Sequence, residues 1–342
     1  MKRLLPLLFV LALPLSARGA NLTMGTDADS GFSTIRVTQG HTEIAIAPAA
    51  GANVYSIRYK GTELLKGPKS LKNLPGFMYG VPVLYPTPNR VRGGEFTFGG
   101  QKFTFPPNDH GNFLHGLVHS AVWELGDINV GGNGPADNAT LTFRLPFAPG
   151  SEQYKLFPLP HTLELAITSG NDSVRWTYTV DNRKGDKPIP YGFAIHPWFL
   201  YQGSRKDTFV TIPATQVMEA KEMLPTGKLL DLAQHPEYDA RQPRSLEGFL
   251  RDDVYAGIDS SQPALIDFRQ RRLKITLSAS DDFKHLVLYT PKDQPWFCVE
   301  DQTCSTDAHN LYAQGLKKES NLLIVEPGKT ASGWIEMRFA NY

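Results

Sequence analysis

The chain has 342 residues, with 35 Lys and Arg against 34 Asp and Glu, so its net charge is close to zero. With no long basic or acidic block anywhere, nucleic acid and anionic membrane surfaces are poor partners. A hydrophobic content of 41%, including 19 Phe, 13 Tyr and 5 Trp, is ample for a large core, and the length admits one large domain or two ordinary ones.

The opening "MKRLLPLLFVLALPLSARGANLT" reads as a signal peptide. Lys2 and Arg3 form its basic start, residues 4–16 its apolar stretch, and Ala17 and Gly19 the small residues before a cut near Gly19. The stretch falls short of the ~20 residues a spanning helix needs, and Pro6 and Pro14 interrupt it. A mature chain beginning at residue 20, periplasmic or secreted and without membrane attachment, is the expectation.

Beyond it the pattern is period-two alternation in short runs bounded by Gly, Pro, Asn and Asp. "TEIAIA", "NVYSIRYKG", "EFTFGGQKFTF", "ATLTFRL", "TLELAIT", "VRWTYTV", "TFVTIP", "LKITLS", "HLVLYT", "NLLIVE" and "WIEMRF" all read as strands. In the third of these, Phe96, Phe98, Phe103 and Phe105 alternate around Gly99-Gly100, which predicts a tight hairpin with the rings on one face. Helical periodicity is nearly absent; "LLDLAQ" and "SLEGFLRDD" read at most as single turns. No linker or composition shift divides the rest, so residues 20–342 are expected to form a single all-β domain, a large, mostly antiparallel β-sandwich with a concave face.

Several chemistries have no motif here: GxSxG, HExxH and GxGxxG are missing, and "PGKT" lacks the earlier glycine of a phosphate loop. "TPNRVRGG" offers Asn89 and Arg90, the latter suited to holding hydroxyls or a carboxylate. "NDHGNFLHGLVHS" carries His110, His115 and His119; two of them would share a helix face fit for a metal, but Gly111 and Gly116 favour a loop lining a polar cleft. In "YGFAIHPWFL" the lone His196 is either a satisfied core histidine or a working one. "FLRDDVYAG" supplies Asp252 and Asp253. In "PWFCVEDQT", Glu300 stands at an expected strand end, either exposed at the rim or kept as a general base in an aromatic-walled cleft. Cys298 and Cys304 are either a small disulfide loop, worth about 2 kcal/mol, or two free thiols. Asn21, Asn138 and Asn171 match the glycosylation sequon, which matters only in a eukaryotic secretory path.

Taken in order, "NR" at 89 and 90, the Phe-rich hairpin, Asn108, "LHG" at 114–116, Trp123, "GFAIHPWF", "DDVY", "FCVEDQT…AHN" and "EPGKT" resemble the aldose 1-epimerase (galactose mutarotase) family over about residues 40–340. The resemblance implies a galactose mutarotase-like supersandwich and interconversion of the α and β anomers of free hexoses, with a small-molecule aldose as partner and no cofactor or metal. By the same resemblance His196 is the general acid, Glu300 the general base, and Arg90, His115 and Asp252, next to Asn89, hold the sugar's hydroxyls and ring oxygen. Asp252 is preferred to Asp253 on its spacing to Tyr255. The acid and base are expected on opposite sides of the sugar ring, with Phe193, Trp198 and Phe199 walling the cleft. Asp301, where many relatives have proline, would add a charge beside the base, and Trp198 replaces the commoner tyrosine. Two alternatives remain: a hexose-6-phosphate 1-epimerase, with Arg58, Arg90 and Arg92 as the phosphate clamp, and a non-catalytic carbohydrate-binding module on the same fold.

Overall fold

Alternation becomes strand at every run named above. "ATLTFRL", "TLELAIT", "VRWTYTV" and "WIEMRF" lie in Ala139–Phe147, His161–Gly170, Ser173–Asp181 and Thr330–Asn341, successive neighbours in a nine-stranded antiparallel sheet. Along these strands Leu163, Leu165, Ile167, Val174, Trp176, Tyr178 and Val180 are buried, while Thr, Arg and Glu residues between them face outward. Each large apolar side chain so buried contributes about 1.5–3 kcal/mol. The computed structural model describes residues 20–131 and 138–342, so the expected signal segment lies outside the described residues.

An eight-stranded sheet packs its apolar side against the same core. Its order runs Leu224–Asp231, Gln216–Lys221, Asp252–Ala256, His285–Tyr289, Trp296–Gln302, Ala194–Ile195 and Val83–Leu84, with Trp198–Leu200 also pairing with Trp296–Gln302. A five-stranded sheet spans Asn21–Thr26 to Thr62–Glu63. One buried cluster, from Ala20 to Phe339, joins the inward faces of all three. The fold is all-β, as expected. In the hairpin of Glu95–Phe98 and Gln101–Thr104, Gly99 and Gly100 both take positive φ, 55° and 78°, which a two-residue turn of this hand requires. Phe96 and Phe103 stack across it at 4.8 Å.

The two runs read at most as single turns contain turns and no helix. "LLDLAQ" finishes the strand Leu224–Asp231 and enters a turn, and "SLEGFLRDD" turns at Gly248, φ 69°, before the strand Asp252–Ala256. Helix occurs instead at Glu152–Leu156, Ala308–Ala313 and Lys317–Ser320, each too short to show periodicity. Among the described residues no helix is long and apolar enough to cross a membrane.

Candidate active site

Strand register brings His196 to Glu300. Ala194 pairs with Gln302 on one side of the His196-Pro197 step, and Trp198 pairs with Cys298 on the other. Continuing that register across the break sets His196 opposite Glu300. Proline has no N–H for the ladder, and the His196 backbone N–H turns away to donate to the Pro82 carbonyl at 2.9 Å. The result is an imidazole Nε2 lying 3.3 Å from Glu300 Oε1, with both side chains almost fully buried. Glu300 is therefore not at a strand end: Trp296–Gln302 continues past it, and Val287 pairs with it on the far side.

The same face of this sheet forms the floor of a cavity of about 170 Å³, to which Asp252, Val287, Tyr289, Trp296 and Trp198 contribute alongside the pair. Loops around a short ladder supply the rest of the lining: Arg90 and Leu114 pair in the strands Arg90–Val91 and Phe113–Leu114, and Asn89, His115, Phe77 and Met78 come from the loops beside them. These loops are locked by backbone geometry. Asn89 and His115 both have positive φ, 59° and 69°, and the His115 N–H donates to the Asn89 carbonyl at 3.0 Å. A Cβ at the adjoining Gly116, φ 75°, would stand 2.3 Å from the Tyr85 carbonyl oxygen, so only glycine fits this approach.

Two of the charged groups are held by a neighbour, whereas the buried Nδ1 atoms of His115 and His196 have no hydrogen-bond partner. Arg90 Nε donates to Asp109 Oδ2 at 2.6 Å, which aims the guanidinium. Gln302 Nε2 donates to Glu300 Oε2 at 3.1 Å, leaving Oε1 for the histidine. The His196 ring stacks on Trp198 (centroids 4.8 Å, planes 8° apart), and Trp198 Nε1–H donates to the Phe77 carbonyl at 2.7 Å. His115 meets His196 edge-on at 5.1 Å.

Burial sets the protonation. It pushes His196 down to about 3 and lifts Glu300 well above the carboxylate range, so burial disfavours charge on both groups. Burial likewise keeps the His115 imidazole neutral, with His196 adding a smaller push. Asp252 is raised to about 6, chiefly by desolvation, although Arg90 opposes the shift. Solvent still reaches this carboxylate through the open cleft.

Other expectations fare differently. His196 and Glu300, expected on opposite sides of a sugar ring, are in contact side by side on one sheet. Of the aromatic walls only Trp198 lines the cavity, because Phe193 stacks on Tyr178 and Phe199 packs near Phe297 in the core. Asp301 adds no charge beside Glu300, since strand alternation points it to the opposite face. Asp253 turns away from the cleft and pairs with Arg251 at 3.5 Å. The phosphate clamp does not assemble: Arg58 pairs with Glu63, Arg92 with Asp307, and of the three only Arg90 lines the cavity. His110 is exposed, and Phe77 packs edge-on against both His115 and His119, so those histidines form no ligand pair. Cys298 and Cys304 are free and buried in separate clusters. Sequence reading missed Tyr289, Trp296, Phe77 and Met78. Trp296 shares the parity of Glu300, a usable signal, whereas the loop residues Phe77 and Met78 offer none.

A family model described as aldose 1-epimerase matches residues 33–338. Among curated proteins, the uncharacterized protein YihR of Escherichia coli (strain K12) is 22% identical over 300 residues, covering 86% of this chain and 90% of that one. The crystal structure of a galactose mutarotase-like protein from Clostridium acetobutylicum superposes with a TM-score of 0.82 at 21% identity, covering 95% of this chain and 100% of the other. That of galactose 1-epimerase from Lactobacillus acidophilus NCFM gives 0.72 at 16% identity, covering 94% and 98%.

Proposed function

The chain belongs to the aldose 1-epimerase family of carbohydrate epimerases, and from that premise we propose that it is an exported mutarotase interconverting the α and β anomers of free hexoses. The observation that carries this reading is the buried His196–Glu300 contact of 3.3 Å at the floor of a polar cleft. One water needs about 10–15 Å³ in this measure of volume, so the cleft admits on the order of a dozen, close to the non-hydrogen atom count of a hexopyranose.

Ring opening takes a proton from the C1 hydroxyl and gives one to the ring oxygen as the bond between C1 and that oxygen breaks. Both oxygens are bonded to C1, so the two proton-handling groups belong side by side, as His196 and Glu300 are. Glu300 accepts the hydroxyl proton and protonated His196 donates to the ring oxygen. The open aldehyde rotates about C1–C2, and closure runs the same transfers backward onto the other face. Throughout, the pair holds one proton, moving between an ion pair favoured by the short contact and a neutral pair favoured by burial. Neither arrangement strands a charge. Such acid–base assistance typically gives about 10²–10⁴-fold. Arg90, His115 and Asp252 position the hydroxyls, and the Trp198 and Trp296 faces suit the apolar side of a sugar.

Polarimetry of fresh α-D-glucose and α-D-galactose tests the reading. Accelerated relaxation with the purified chain is expected; sugar binding without acceleration would overturn it in favour of a binding module. For export, the mature chain should lack residues 1–19 by intact mass.

A further inference from the structure

Directly against the His196–Glu300 pair lies a group that the proposed acid–base chemistry leaves unused. Cys298 projects from the same strand face two residues before Glu300, and its Sγ, a ring nitrogen of His196 and a carboxylate oxygen of Glu300 all lie within 4.8 Å of one another. The thiol is free and fully buried among Trp198 and Trp296, and does not itself open on the cavity, whereas the other two groups do.

The geometry points to a second ligand for this cleft: a single divalent cation of the zinc class, held by His196, Cys298 and Glu300, that shuts off sugar chemistry by occupying the acid and base. One nitrogen, one sulfur and one oxygen make a donor set for a borderline-soft ion, and hard Mg²⁺ or Ca²⁺ would gain little from a thiolate. Metal–ligand lengths of about 2.0–2.3 Å give tetrahedral edges of roughly 3.3–3.8 Å. The histidine–glutamate edge of 3.3 Å already meets this, and the two edges to sulfur, within 4.8 Å, are the ones that binding must shorten. Three protein donors leave a fourth position, which faces the cavity. Gln302 supports the ligating carboxylate through its other oxygen. Charge suits the ion too: a thiolate and a carboxylate together neutralise a dication.

Cd²⁺ is the direct probe, since its thiolate bond has an ultraviolet charge-transfer band. Titrating the metal-stripped mature chain should give a band saturating at one ion per chain. Cys298→Ser and Cys298→Ala, each checked for native circular dichroism, should lose it, and Cys304→Ser should keep it. Zn²⁺ should inhibit anomer relaxation competitively with sugar, and the concentration for half inhibition should rise at least about tenfold in both Cys298 variants. Mg²⁺ should do nothing. An absent band, a band that survives loss of Cys298, or one that follows Cys304 would overturn the site; a Cys298-dependent band without inhibition would overturn its blocking role. The inhibitory half rests on the mutarotase reading. The band does not, so failure of that reading leaves the metal site separately decided.

Discussion

Glu300 and Asp301 are consecutive carboxylates on one strand, both buried, and both held above the ordinary carboxylate range by desolvation. What separates them is the face they occupy. Glu300 looks into a cavity with His196 against one oxygen and Gln302 against the other. Asp301 looks into the space between the sheets, where Pro213, Ile258, Gln262, Ala264, Leu277 and Phe283 surround it and its Oδ2 has no hydrogen-bond partner. A raised proton affinity is therefore common to both, and what the face of Glu300 adds is a proton partner and room for a ligand.

The sharpest way to break this contrast is to remove the proton-handling atoms of one face. Glu300→Gln and His196→Asn should each lower kcat about 10²-fold or more while leaving the thermal midpoint near wild type. Because the two share one proton, the double variant should be little worse than the poorer single, as for groups that act as a unit. Additive losses measured by polarimetry would mean that the residues work independently.

Asp301 should show the opposite profile, a stability effect with activity intact. Its folded pKa of about 7 lies above the ordinary 3.8, so the folded chain binds this proton more tightly than the unfolded one. The stability linked to it is complete below about pH 4, falls as pH rises toward 7 and is lost above that, on the order of a few kcal/mol at most. Asp301→Asn removes the titration. Its midpoint relative to wild type should climb across that window, and parallel midpoint curves would show that Asp301 has a partner in solution.

Much of the fold was legible because alternation is a local signal. The strands that escaped it have physical reasons: Glu124–Val130 carries a bulge between Leu125 and Ile128 that breaks the period, and Gln216–Lys221 is a strand through its pairing with Tyr255 and Ala256 rather than through its own pattern. At the site, motifs singled out His196, Glu300, Arg90 and His115, all of which line the cavity. Their relative placement was not legible, because it depends on register across a break at His196-Pro197, over a hundred residues from Glu300. Register is a pairing property, and one residue of slip would have reversed the faces of Glu300 and Asp301.

A second pair of adjacent carboxylates sharpens the comparison with smaller effects. Asp252 and Asp253 also alternate, the first lining the cleft and the second paired with Arg251. If face decides role, Asp252→Asn should raise KM for the sugar by roughly tenfold, the scale of one hydrogen bond to a charged group, with kcat less affected. Asp253→Asn should leave both constants within error and change stability by no more than about 1 kcal/mol, as partly exposed ion pairs do. The reverse outcome would move sugar recognition to the other face of Asp252–Ala256. The cleft's open side would then have to be redrawn, since the strand places Asp253 on the side of Tyr255, whose ring is buried and whose hydroxyl donates to the Tyr238 carbonyl at 2.7 Å.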